Sequence, residues 1–169
     1  MSAPVEPPAM RQAMGRFATG VAVVTTVHDG EPHGMTINSL TSVSLDPPLL
    51  LVCFTHGARS AEAVSRSGRF AVNVLARRQQ AIALRFAARG EDHFSGLELD
   101  YGDHEVPVVP NALAHLECGV DRLIEAGDHT IVLGSVTRTC AAPGEPLAFY
   151  SGRFGDVVPH DAEPQHWFF

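Results

Sequence analysis

Turn residues cut this chain into short apolar segments at hairpin spacing, and that pattern constrains the fold more than any other feature. Val21–Val27 is almost entirely β-branched and meets the turn signal Asp29-Gly30, which predicts a hairpin between residues 21–28 and 33–38. Thr41–Leu45 reads as a further strand stopped by Asp46-Pro47-Pro48, and Leu49–Phe54 as a buried one. Phe70, Val72 and Val74 alternate on the next strand. From Ala112 to Ile124, Ala114, Leu116, Cys118 and Val120 face one way, with His115, Glu117 and Asp121 on the other. Gly127-Asp128 turns that segment into Thr130–Thr137, and Leu147–Tyr150 is the last strand. About seven strands with hairpin links predict a mainly β chain with flanking helices (α+β), its sheet antiparallel and closed, or nearly closed, into a barrel without free edges. No two glycines stand at i and i+2, so the GxGxxG loop of a parallel dinucleotide fold is absent.

Three helices fit between the strands. Met10, Ala13, Met14 and Phe17 sit at helical spacing, predicting an amphipathic helix with Met10 and Met14 toward the core and Gly20 as its end. Ala58–Ser67 ends at Gly68, and Arg77–Ala88 carries Ile82 and Phe86 four residues apart. Residues 1–8 are Pro-rich and expected to be loose, 9–155 to form one domain, and 156–169 to be a tail. Residues 89–111 form a long excursion of the kind that often carries function. The terminal Trp167-Phe168-Phe169 is expected to be covered by the body or by a partner.

Composition removes several chemistries. All 12 basic residues are Arg. Pyridoxal-phosphate and Schiff-base enzymes need a lysine amine, as do the Walker P-loop and the protein kinases. A net charge of −7 argues against a nucleic-acid surface. The apolar fraction of 45% includes no run long enough to span a membrane. No signal peptide is visible at the N-terminus, and Cys53, Cys118 and Cys140 lack CxxC spacing, which predicts a reduced cytoplasmic protein. GxSxG is missing, and no HxH or HxxxH spacing supports a metal centre.

What remains is a set of small polar residues at strand ends. Gly34-Met35-Thr36-Ile37-Asn38-Ser39 closes one strand and Ser42 follows. Thr55-His56-Gly57-Ala58-Arg59-Ser60 joins a buried strand to a helix. Hydroxyls, backbone N–H groups and an Arg at a helix N-terminus suit an anion. The same residues also suit ordinary turns and a helix cap.

Seven segments, in order over residues 14–155, resemble the short-chain flavin reductase family. They include Phe17-Ala18-Thr19-Gly20, the Gly34–Pro48 stretch, Ser67-Gly68-Arg69-Phe70 and the Gln79-Gln80 to Arg85-Phe86 helix. Ala114-His115-Leu116-Glu117-Cys118 and Gly127-Asp128-His129-Thr130 continue the likeness. The resemblance implies a split-barrel flavoprotein, working as a homodimer, that uses NADH or NADPH to reduce FMN or FAD for a partner monooxygenase. By position it implies that Met35, Thr36, Ile37, Asn38, Ser39, Ser42 and Val43 border the flavin ring and ribityl chain. It further implies that Cys53, Phe54, Thr55, His56, Gly57, Ala58, Arg59 and Ser60 continue to the phosphate, with Phe86 and Ala87 added from the helix. His129 is the implied catalytic residue, with Tyr150, Gly152, Arg153 and Phe154 near the nicotinamide. Family members often carry Lys and Ser where this chain has His56 and Ala58, so a weaker phosphate grip and a diffusible flavin are expected. A split-barrel oxidase with tightly bound FMN and a non-catalytic flavin carrier stay open as alternatives.

Overall fold

The computed structural model describes residues 4–90 and 92–158. Helix α1 (Pro7–Met14) leads through β1 (Thr19–Gly20) into the hairpin of β2 (Ala22–His28) and β3 (Glu31–Ile37). Next come β4 (Thr41–Leu45), β5 (Pro48–Thr55), α2 (Arg59–Ser67) and β6 (Arg69–Val74). A single 3-10 turn at Arg77–Gln79 runs into α3 (Gln80–Ala87). The excursion holds only β7 (Asp100–Tyr101) and β8 (Pro107–Val108). The chain then forms the long hairpin of β9 (Ala114–Ala126) and β10 (His129–Ala141), and closes with β11 (Ala148–Tyr150) and β12 (Arg153–Gly155).

Every pairing is antiparallel, as the hairpin spacing requires. Seven strands form one sheet in the order β3-β2-β6-β9-β10-β5-β4, and β1-β11-β12 form a small second sheet. Val24, Ile37, Leu50, Val52, Phe54, Phe70, Cys118 and Val132 share one buried cluster with Val64 of α2. Residues from both flanks of the large sheet thus meet in one core, so the sheet curls around it. The opposite face carries a second cluster, in which Val21, Val23 and Leu75 pack on Ala83 and Phe86 of α3 and on Phe94. Val23 and Val24 therefore point into different cores. That explains the unbroken β-branched run of β2, a strand buried on both faces.

Several expectations change. The sheet is not closed: β3 and β4 are its two edges, and no pairing joins them among the described strands. The described residues hold twelve strand segments, against about seven expected. The first helix starts at Pro7, where proline suits the first turn, and stops at Gly15 rather than Gly20, which lies in β1. Met10 and Met14 are more than half exposed and do not face the core, since α1 buries no residue against the described part of the chain. Glu117 points away from the Cys118 core, yet it is buried, because the excursion folds back over it. Its carboxylate accepts the His104 backbone N–H at 3.1 Å, and Gly102 lies so close that a Cβ there would come within 2.4 Å of it. Trp167-Phe168-Phe169 lies outside the described residues.

Asn73 ties the excursion to the sheet. Its amide nitrogen donates to Val23 O at 2.9 Å and to Thr25 Oγ1 at 3.1 Å. Its carbonyl oxygen accepts the Val109 backbone N–H at 2.8 Å and pairs with His115 Nδ1 at 2.9 Å. Replacing this fully buried side chain leaves several groups unpaired at once, at about 1–3 kcal/mol each. Asn73→Ala is expected to destabilise the protein by about 2–4 kcal/mol in urea titrations. A loss below about 0.5 kcal/mol contradicts the tie.

Candidate functional site

A cleft of ≈ 1040 Å³ opens between the start of α2, strand β3 and the end of α3 with its following loop. Its volume lies at the upper end of small-molecule sites. One wall is the β5–α2 loop. Gly57 turns there at φ +78°, a conformation side chains resist, and delivers the chain into α2. The helix cap, Ala58, makes no side-chain capping bond. The first-turn N–H groups of Arg59 and Ser60 therefore face the cleft with their positive end of the helix dipole.

The opposite wall is built by a close approach. Gly34 of β3 lies against Phe86, and a Cβ at that position would fall 2.6 Å from the ring. The Thr36 hydroxyl donates to Ala83 O at 2.6 Å, stitching β3 to α3. Past the helix, His93 pairs with Gly34 O at 3.3 Å and Ala88 O at 3.0 Å. Phe94 meets Phe86 edge-on with centroids 5.0 Å apart.

The cleft sets two arginines beside the carboxylates of Glu31, Asp92 and Asp128 in its lining. Arg59 and Arg89 line it, and neither has a carboxylate within 4.0 Å among the described residues. The Asp92 carboxylate is occupied, accepting the N–H groups of Phe94 and Ser95. Burial holds His33 below its ordinary pKa, helped by the positive charges of His28 and Arg59. Neighbouring His129 lowers the Asp128 carboxyl, with the two side chains 2.7 Å apart. A second cavity of ≈ 540 Å³ lies beside Arg77, whose guanidinium is already taken by Glu145 at 3.0 Å and Asp156 at 2.7 Å.

Of the residues expected from sequence, Met35, Thr36, Thr55, His56, Gly57, Ala58, Arg59, Ser60, Phe86 and Ala87 line this cleft together. Ile37 and Phe54 have their side chains in the core. Ser39 spends its hydroxyl on the Cys53 backbone, accepting its N–H at 2.9 Å. Asn38, Ser42 and Val43 are exposed just beyond β3 and on β4. His129 starts β10 opposite Thr55, next to Asp128, which does line the cleft. Tyr150, Gly152, Arg153 and Phe154 belong to the turn and strands of the small sheet, away from the lining. Sequence reasoning missed His33, Arg89, His93 and Phe94; the available signal was the long excursion that begins at residue 89.

Gly34 to Ile37 of β3 and the helix ending in Phe86 are among the segments quoted above for their likeness, and comparison with known proteins is decisive. Residues 14–157 match the flavin reductase like domain. The chain belongs to that family. It is 38% identical over 170 residues to the reductase subunit HsaB of a flavin-dependent monooxygenase from Mycobacterium tuberculosis, covering 99% of this chain and 91% of that one. It is 43% identical to an NADH-dependent FMN reductase, SmoA, of Agrobacterium fabrum, covering 86% and 83%. The crystallised NADH:FAD oxidoreductase of Streptomyces globisporus superposes with a TM-score of 0.85 at 40% identity, covering 94% of this chain and 99% of that one. The antiparallel, mainly β architecture is thus that of flavin reductases.

The donor set fits a flavin phosphate: an uncapped helix start, a serine and an arginine without a carboxylate partner share one end of the cleft. The Cys118 thiol is no redox competitor, since burial pushes its pKa up to about 12. Gly34→Val is expected to push Phe86 off β3, costing about 1–3 kcal/mol of stability and weakening flavin binding at least tenfold. Unchanged flavin affinity by fluorescence titration contradicts this wall as part of the site.

Proposed function

We propose that this protein is an NAD(P)H-dependent flavin reductase that takes free FMN or FAD as substrate and releases it reduced for a partner monooxygenase. The observation that carries the reading is the cleft with Arg59 and Ser60 at the uncapped start of α2, in a chain of this family. HsaB is by name a monooxygenase reductase subunit, and the other two relatives are named for NADH with FMN or FAD. A bound flavin supplies the hydride-accepting ring. Arg59, Ser60 and the α2 N–H groups would hold its phosphate. Phe86 and Thr36 would form the shelf along β3, continuing toward Asn38, Ser39, Ser42 and Val43. His129, oriented by Asp128, would stand near the nicotinamide, with Tyr150, Gly152, Arg153 and Phe154 beyond. The curled sheet is read as the family's split barrel.

One feature favours a diffusible flavin over a captive one. His56 is engaged by Glu125 at 2.7 Å, so among the described residues the phosphate end offers Arg59 as its one full cation without a carboxylate partner. The reductase should purify largely colourless and oxidise NADH only when flavin is added. Arg59→Ala should raise the flavin Kd about tenfold or more, the scale of one charged hydrogen bond. NADH oxidation by a yellow protein without added flavin would favour the tightly bound oxidase, and no oxidation at all the carrier.

A homodimer is part of this proposal. Phe17 and Leu45 are about two-thirds exposed, and Met10, Met14, Val43, Leu123 and Ile124 are exposed with them. So much apolar surface is costly on a monomer. Sedimentation at micromolar protein should give twice the 18.1 kDa chain mass, and a monomer that still reduces flavin refutes this part.

A further inference from the structure

Glu125 near the end of β9 is held by both carboxylate oxygens. Oε2 lies 2.7 Å from His56 Nε2, and Oε1 accepts the Thr130 hydroxyl at 3.1 Å. His56 lines the cleft in the loop that enters α2, and its backbone N–H donates to Asp128 O at 3.0 Å. Asp128 lines the same rim and has its carboxylate on His129. The phosphate end of the cleft thus has Arg59 at the start of α2 on one side and, on the other, the Asp128 carboxylate on the rim with the Glu125 carboxylate directly behind the lining His56.

Resting on the flavin reading above, we infer that Glu125 is a specificity-determining residue that turns the site against FMN and toward FAD. The two flavins differ in where their negative charge sits. A terminal phosphomonoester concentrates about −1.5 to −2 charges on one group at neutral pH. A pyrophosphate diester carries one charge per phosphorus and spreads it over two centres, so less lies beside the carboxylate. Arg59 balances one charge, and His56 is already spent on Glu125. Repulsion by Glu125 therefore falls more heavily on the monoester. Glu125 is largely exposed, so the effect is a preference that salt weakens, not an exclusion.

Equilibrium dialysis of the full chain against FAD, FMN and riboflavin at low salt tests this without turnover. FAD is expected to bind about fivefold tighter than FMN or better. Glu125→Gln, at an exposed hairpin position that the fold tolerates, should tighten FMN about three- to tenfold, FAD less than twofold, and uncharged riboflavin not at all. FMN binding as tightly as FAD in the unaltered protein, an FMN affinity that does not respond to the substitution, or an equal shift for all three flavins overturns the inference while leaving the reductase reading intact. Binding of none of the three overturns the reductase reading itself.

Discussion

The contact between Phe86 and the bare backbone of Gly34 is what the cleft depends on. Any side chain at residue 34 would occupy the space of the ring. With glycine there, α3 lies directly on edge strand β3, and the loop after it is drawn in as a wall through His93 and Phe94. An edge strand with free backbone groups is a hazard in most sheets. Here α3 and its loop cover part of that edge, and the covering makes the pocket. The seven-stranded sheet supplies a stiff base, because β2 and β6 are buried on both faces.

Charge is arranged on the same principle of local exception. The chain is acidic overall, yet Arg59 and Arg89 face the cleft without acidic partners among the described residues. Elsewhere some arginines are paired: Arg66 with Glu62, Arg77 with Glu145 and Asp156, Arg138 with Asp103. Exposed pairs of that kind add little stability.

Local signals were legible in the sequence where the physics is local. Asp29-Gly30 both adopt positive φ and close the β2–β3 hairpin as its turn chemistry requires, and Gly68 caps α2 in the left-handed region. The Thr55–Ser60 loop was recognisable because an anion site at a helix start is made of neighbouring residues. What was not legible depends on distant segments. An amphipathic pattern in α1 states that one face is apolar, not what covers it, and none of the described residues does. The alternation of β9 places Glu117 opposite Cys118 but does not show its burial, because the loop that covers it lies more than ten residues away, at Gly102 and His104. His33 and His93 carry no motif and join the site only through the packing of α3 on β3. Closure is likewise non-local: antiparallel hairpins are readable along the chain, whereas joining the sheet requires β3 and β4 to pair, and no such pairing is present among the described strands.

The central claim is that the cleft between α2, β3 and α3 is where flavin binds, with its phosphate at the start of α2. A crystal structure of the protein with added FAD tests it most directly. The account predicts a phosphate oxygen within hydrogen-bond distance of the Arg59 or Ser60 N–H groups and the isoalloxazine along the Phe86 side of the cleft. Flavin bound in the cavity beside Arg77, or with its phosphate away from α2, contradicts it.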